Sequence, residues 1–183
     1  MRAALLAEVP FQVQTLRMFG REVPEPRCSA WVGDPAAVYT YSGRQRAPLN
    51  WTPTLLELRA RLATALGVRF NSVLCNLYRD GRDAMGLHAD DEPELGPQPL
   101  IASLSLGETR KMRFVAKKRG AGLAAVPWVL PPGSLLIMGG KTQALYKHGV
   151  ARTKAVCGPR LNLTFRCVGF GRAGGQCPGR ARL

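Results

Sequence analysis

The stretch Arg160-Leu161-Asn162-Leu163-Thr164-Phe165-Arg166-Cys167 constrains the fold most, because its two faces are chemically opposed. With a side-chain period of two, Leu161, Leu163, Phe165 and Cys167 share one face of an extended strand. Arg160, Asn162, Thr164 and Arg166 share the other. Such a strand asks for an apolar layer on one side. On the other it carries two guanidinium groups, whose burial is costly unless anions pair with them. Arginine grips carboxylates with a bidentate fork, so a small dicarboxylate meets that need. 2-Oxoglutarate is such a molecule, and its 2-oxo acid end also chelates iron. An edge strand with a solvated polar face is the alternative. Asn76 and Tyr78, on one face of another alternating stretch, offer further hydrogen bonds to the same small molecule.

The whole chain has two histidines, His88 and His148. The first stands in His88-Ala89-Asp90, and residues two apart on an extended segment point the same way. With the distant His148 they compose a two-histidine, one-carboxylate facial triad, which leaves positions of an octahedral iron(II) open for cosubstrate and O2. Two imidazoles and a carboxylate also suit zinc. A His-x-Asp with a later histidine is a weak signal alone; the polar face at 160–166 strengthens it.

Along the chain, residues 1–50 read as turn-rich short pieces, broken by Pro10, Pro24, Pro26, Pro35 and Pro48. Thr52 is placed to cap a helix with Pro53 in its first turn. Leu55, Leu58, Leu62 and Leu66 form its apolar stripe, and Gly67 ends it. The period then changes to two, with Val73, Cys75 and Leu77 alternating with Ser72, Asn76 and Tyr78. Further strands are predicted at Ile101–Leu106, Lys111–Val115, Ser134–Met138 and Arg160–Val168. The pattern predicts an α+β, mainly β fold: a jelly roll, or double-stranded β-helix, with flanking helices. Gly140-Lys141-Thr142 resembles the end of a phosphate-binding loop, but position 135, where that motif needs glycine, is leucine.

No apolar run approaches the roughly 18 residues that span a bilayer, so no membrane association is expected. The start lacks a signal-peptide core, and the chain reads as intracellular: nuclear in a eukaryote, cytoplasmic in a bacterium. Its five cysteines include no Cys-x-x-Cys pair and are expected to be reduced thiols. The formal net charge is +14, with all 12 acidic residues at or before Glu108 and 15 of the 26 Lys and Arg after it. That bias favours a polyanionic partner, although an arginine-rich composition alone produces the same numbers.

Taken in order, Asn76-Leu77-Tyr78, Gly81, His88-Ala89-Asp90-Asp91-Glu92, Ile101-Ala102-Ser103, Gly133-Ser134-Leu135-Leu136, His148 and Arg160–Arg166 resemble the AlkB dioxygenases. The likeness is greatest to the animal-type DNA-repair homologues and runs from about Met18 to Val168. It implies one AlkB-like domain over 1–168, with a nucleotide-recognition lid at about 10–50 and a disordered basic tail at 169–183. His88, Asp90 and His148 would bind Fe(II). Asn76, Tyr78, Arg160, Asn162, Thr164 and Arg166 would hold the cosubstrate 2-oxoglutarate, and O2 is the oxidant. Asp91 would contact the alkylated base, and a carboxylate favours cationic 1-methyladenine and 3-methylcytosine. Tyr39, Thr40 and Tyr41 resemble the segment flanking an extruded base, and Phe19, Gly20 and Arg21 a finger that enters the duplex. The implied activity is oxidative demethylation of alkylated bases in single- or double-stranded DNA by a monomer, releasing formaldehyde and succinate. The same chemistry on RNA or on another substrate, or a non-catalytic nucleic-acid-binding module, are the alternatives.

Overall fold

A computed structural model of the protein describes residues 1–18, 20–41, 44–118, 122 and 124–169. Among the described residues, twelve strands and three α-helices are arranged around two larger antiparallel sheets. The strands are β1 (Gln12–Met18), β2 (Arg21–Gly33), β3 (Tyr39–Tyr41), β4 (Arg44–Arg46), β5 (Ser72–Tyr78) and β6 (Met85–His88). β7 (Ile101–Gly107), β8 (Arg110–Ala116), β9 (Val126–Leu130), β10 (Leu135–Met138), β11 (Tyr146–Val150) and β12 (Arg160–Arg166) follow. The major sheet runs β1-β2-β5-β12-β7-β10 and the minor one β6-β11-β8-β9, while β3 and β4 pair only with each other. Two such sheets make the expected jelly-roll core.

β12 occupies the middle of the major sheet and is buried at every residue. Its apolar face meets helix α2 (Pro53–Leu66), whose Leu55, Leu58 and Leu62 pack with Leu161, Leu163 and Phe165 in the main core. Opposite, a second cluster that includes Tyr78, Ile101, Met112, Phe114 and Met138 lies between the sheets. The strand's polar residues thus face the interior of the sandwich, which excludes the solvated-edge reading.

The helix ends where glycine allows it, with Gly67 at φ 63° as the left-handed cap. At its start Thr52 makes no side-chain capping bond. Glu8, at the end of helix α1 (Arg2–Glu8), supplies the acceptor instead. Its carboxylate takes the Thr54 backbone N–H at 3.1 Å and the Thr54 hydroxyl at 2.6 Å. These bonds, led by the hydroxyl of Thr54, hold the Glu8 carboxyl below the usual range.

Two expectations are corrected. Residues 1–50 are not all short pieces, because β2 runs unbroken for 13 residues through Pro24 and Pro26. Proline lacks the N–H that a central strand must donate. Both prolines precede Cys28, where β2 gains β5 as its second neighbour, so the missing donors fall where pairing is one-sided. Of the segment at about 10–50 that the resemblance implies is a lid, β1 and β2 therefore belong to the major sheet, and β3 and β4 pair only with each other. The second correction concerns cysteine: Cys28, Cys75 and Cys157 are free, but Cys167 is disulfide-bonded. It lies just past β12 and is half-buried. The tail beyond Gly169 lies outside the described residues.

Phe165 is fully buried between α2 and the sheet, with the Phe70 ring centroid 6.1 Å away. Phe165→Ala is expected to cost about 3–5 kcal/mol in denaturant-induced unfolding. A loss below about 1 kcal/mol would mean this layer is not the main core.

Candidate metal and cosubstrate site

The two histidines come together through strand pairing. His88 ends β6, His148 lies on β11, and the two are direct antiparallel partners. Their ring centroids stand 4.4 Å apart at 52°. The strands approach closely because Gly149 follows His148: a Cβ there would lie 2.7 Å from the Met85 carbonyl oxygen. Asp90, two residues past the end of β6, completes the group. Its oxygens lie 3.7 Å from His88 Nε2 and 3.9 Å from His148 Nε2. One donor atom from each of the three falls within 4.8 Å of the others.

The surroundings aim these donors. The carbonyl oxygen of Gly86 lies 3.0 Å from His88 Nδ1; because it can only accept, Nδ1 carries an N–H, and Nε2 is the ring nitrogen turned toward Asp90. Burial first, and the nearby His88 second, push His148 down to about 4, so its imidazole is neutral near pH 7 and able to coordinate. Phe114 stacks on it at 5.5 Å. For Asp90, burial alone would raise the carboxyl pKa. Arg166 and the two histidines outweigh that effect and keep it below the usual carboxylate range. Arg166 Nη2 lies 2.9 Å from both Asp90 oxygens. The Asp90 backbone N–H donates to Gln143 Oε1 at 3.0 Å.

The cosubstrate residues also converge, in unequal roles. Register places Asn162 between Asn76 and Ser105, Arg160 between Tyr78 and Gly107, and Thr164 opposite Ser103. Arg160 is fully buried, donates to Ser105 Oγ at 2.9 Å and lies 5.3 Å over the Tyr78 ring. Its Nε and Nη1 are buried without a hydrogen-bond partner among the described residues. Burial lowers its pKa, with Tyr78 opposing, yet a guanidinium stays charged. A buried cation with two open donors fits a carboxylate, so the residues present suit 2-oxoglutarate. Asn162 spends its amide on Ser103 Oγ (2.8 Å) and the Leu104 carbonyl (3.1 Å) while Thr164 donates to it at 3.3 Å. The Tyr78 hydroxyl reaches Met85 Sδ at 3.8 Å. Asn76, His88, His148, Asn162, Thr164 and Arg166 line one small cavity of about 10 Å³ in this conformation.

The other predicted residues lie apart from this centre. Asp91 is exposed and pairs with Lys117 Nζ at 2.6 Å. Tyr39, Thr40 and Tyr41 form β3, opposite Arg46, Gln45 and Arg44 of β4. Gly20, at φ 78°, turns β1 into β2 and Arg21 is exposed, while Phe19 lies outside the described residues. Sequence reasoning missed Gln143, 2% exposed in helix α3 (Thr142–Leu145), and the partner roles of Ser103 and Ser105. The serines alternate along β7, but their register against β12 was not readable. Gln143 carried no signal.

Residues 1–166 match the 2OG-Fe(II) oxygenase superfamily. The chain belongs to that family. It is 40% identical over 171 residues to the alpha-ketoglutarate-dependent dioxygenase alkB homolog 3 of Bos taurus, an alignment covering 90% of this chain and 59% of the relative. It is also 40% identical over 158 residues to the DNA oxidative demethylase ALKBH2 of Homo sapiens, covering 84% and 60% respectively. The chain thus spans only about three-fifths of the length of these relatives. The solved structure of OsALKBH1 superposes with a TM-score of 0.53 at 20% identity, over 91% of this chain and 87% of that one, and supports the fold. The AlkB resemblance is borne out. This family uses iron(II) as its metal and 2-oxoglutarate and O2 as cosubstrates, and the His88–Asp90–His148 group and the buried Arg160 fit the first two.

Gln143→Leu is expected to weaken divalent-metal binding about 10- to 100-fold by freeing the Asp90 backbone. Calorimetric titration with Mn(II) checks this, and unchanged affinity would show that Arg166 alone positions Asp90.

Proposed function

We propose that this chain is the oxygenase domain of a DNA-repair enzyme that removes methyl groups from alkylated bases, 1-methyladenine and 3-methylcytosine among them. The observation that carries the reading is the meeting of half-buried His88 with buried Asp90 and His148, beside an Arg160 that has two nitrogens without a partner among the described residues. The identity to a DNA oxidative demethylase supports the choice of substrate. In this reading iron(II), 2-oxoglutarate and O2 together would supply the oxidation that turns an N-methyl group into formaldehyde, with 2-oxoglutarate leaving as succinate and carbon dioxide.

The chain's own residues bind and orient. His88, Asp90 and His148 hold the metal on one side. Arg160, with Tyr78 and Ser105 around it, takes a carboxylate of the cosubstrate; Asn76, Asn162, Thr164 and Arg166 form the rest of its walls. Arg166 also keeps Asp90 ionised for coordination. Asp91, adjacent in sequence but solvent-facing, accepts a cationic base at the rim. The β3–β4 hairpin, with Tyr39, Thr40 and Tyr41, flanks the extruded base. The turn at Gly20 and Arg21, with Phe19, enters the duplex. The net charge of +14 favours the phosphate backbone. No described helix is long and apolar enough to cross a membrane.

The test is mass spectrometry of single- and double-stranded oligonucleotides carrying either base, incubated with protein, iron(II), ascorbate and 2-oxoglutarate. Loss of one methyl mass that requires 2-oxoglutarate is expected, and His88→Ala should abolish it. Succinate formation without demethylation would overturn DNA as the substrate, and matched RNA oligonucleotides would then be the next arm. Asp91→Asn is expected to lower kcat/KM on cationic bases about tenfold, equivalent to ~1.4 kcal/mol, and to spare neutral alkylated bases. An equal loss on both would remove charge recognition from Asp91.

A further inference from the structure

Beneath the cosubstrate wall lies a buried charged group that the site does not need for metal binding. Glu25, Arg27 and Ser29 alternate along β2, and each is 3% exposed. Arg27 Nη2 pairs with Glu25 Oε2 at 3.1 Å, and the same oxygen accepts the Ser29 hydroxyl at 3.3 Å. Arg27 Nε donates to Asn76 Oδ1 at 2.8 Å. Ser29 is the cross-strand partner of Asn76, so this face of β2 continues the polar face of β5. Asn76 lines the cavity with His88 and His148; Arg27 does not.

We propose that Arg27 is a positioning residue for 2-oxoglutarate, acting through Asn76. A side-chain amide has one accepting and one donating end, and either can face a ligand. An N–H donor fixed on Oδ1 turns the amino group of Asn76 toward the cavity, which is the end a carboxylate requires. Without that bond the amide is free to present its oxygen, which repels a carboxylate. Glu25 has the complementary task. It neutralises Arg27, so this buried guanidinium does not compete with Arg160 for the dicarboxylate. The two arginines are told apart by their partners: Arg160 has two open nitrogens, and Arg27 is committed to Glu25 and Asn76. Removing one member of a buried pair strands the other's charge, whereas removing both with volume kept is much better tolerated.

The proposal rests on the cosubstrate reading of this site, and the test separates the two. The protein loaded with Mn(II), which does not turn over, is titrated with 2-oxoglutarate by calorimetry. The double variant Glu25→Gln/Arg27→Met is expected to raise the 2-oxoglutarate Kd about tenfold and leave Mn(II) affinity unchanged. In an Asn76→Ala background the same pair of changes should add less than about twofold, because the effect runs through one amide. Arg27→Lys, which keeps the charge for Glu25 but loses the directed Nε–H, should also weaken 2-oxoglutarate. Unchanged affinity in the double variant, or an undiminished tenfold loss without Asn76, would overturn the positioning role and leave the cosubstrate site intact. Wild-type protein that binds Mn(II) but not 2-oxoglutarate would sink the cosubstrate reading, and the proposal with it.

Discussion

A buried ion pair ties the two sheets to one another. Arg166 ends β12 in the major sheet, and Asp90 follows β6 of the minor sheet; both are almost wholly buried, with 2.9 Å between Nη2 and each carboxylate oxygen. Neither charge is tolerable there without the other. The same pair that closes the sandwich therefore keeps Asp90 ionised and aimed at the two histidines. A change at Arg166 is then a change in the metal site as much as in the fold, and its effects on stability and on metal binding cannot be separated by that substitution alone.

Around this pair the interior is polar by construction. Most jelly-roll strands could fill the gap between sheets with apolar side chains, as the Met112, Phe114 and Met138 cluster does here. Along β5, β7 and β12 the facing residues are Asn76, Ser103, Ser105, Asn162, Thr164 and two arginines instead. Nearly all of their polar atoms are matched to neighbours, as burial demands. Among the described residues, Nε and Nη1 of Arg160 are buried without such a partner, and unmatched donors of that kind are what a ligand carboxylate would complete. Rigidity comes from the other face of β12, where α2 and the apolar layer hold the strand against any adjustment.

The metal site shows a different division. His88 and Asp90 are close in sequence, and any extended path brings them near each other. The third ligand, far along the chain, depends on β6 and β11 being partners in the minor sheet, and Gly149 lets those strands approach. Asp91 illustrates the opposite outcome: it neighbours a metal ligand but faces solvent and Lys117. One step along the backbone separates a buried carboxylate from an exposed one.

The alternation of period two at 160–166 and at 72–78, the helix from Pro53 to Gly67, and the scarcity of histidine were all legible in the sequence. Each is a local property: a strand's faces, a cap and a ligand inventory need no partner to be recognised. The 13-residue β2 was not legible, because Pro24 and Pro26 are acceptable only where a second strand is missing. Neither was the capping of α2 by Glu8, the aim of Gln143 at the Asp90 backbone, or the grip of Arg27 on Asn76. These join residues far apart in the chain, and register across a sheet decides them. The sequence by itself determined which chemical groups were available and which faces of the strands they occupied. Only the tertiary structure decided which of those groups meet, because a hydrogen bond depends on a separation of about 3 Å that no spacing along the chain encodes.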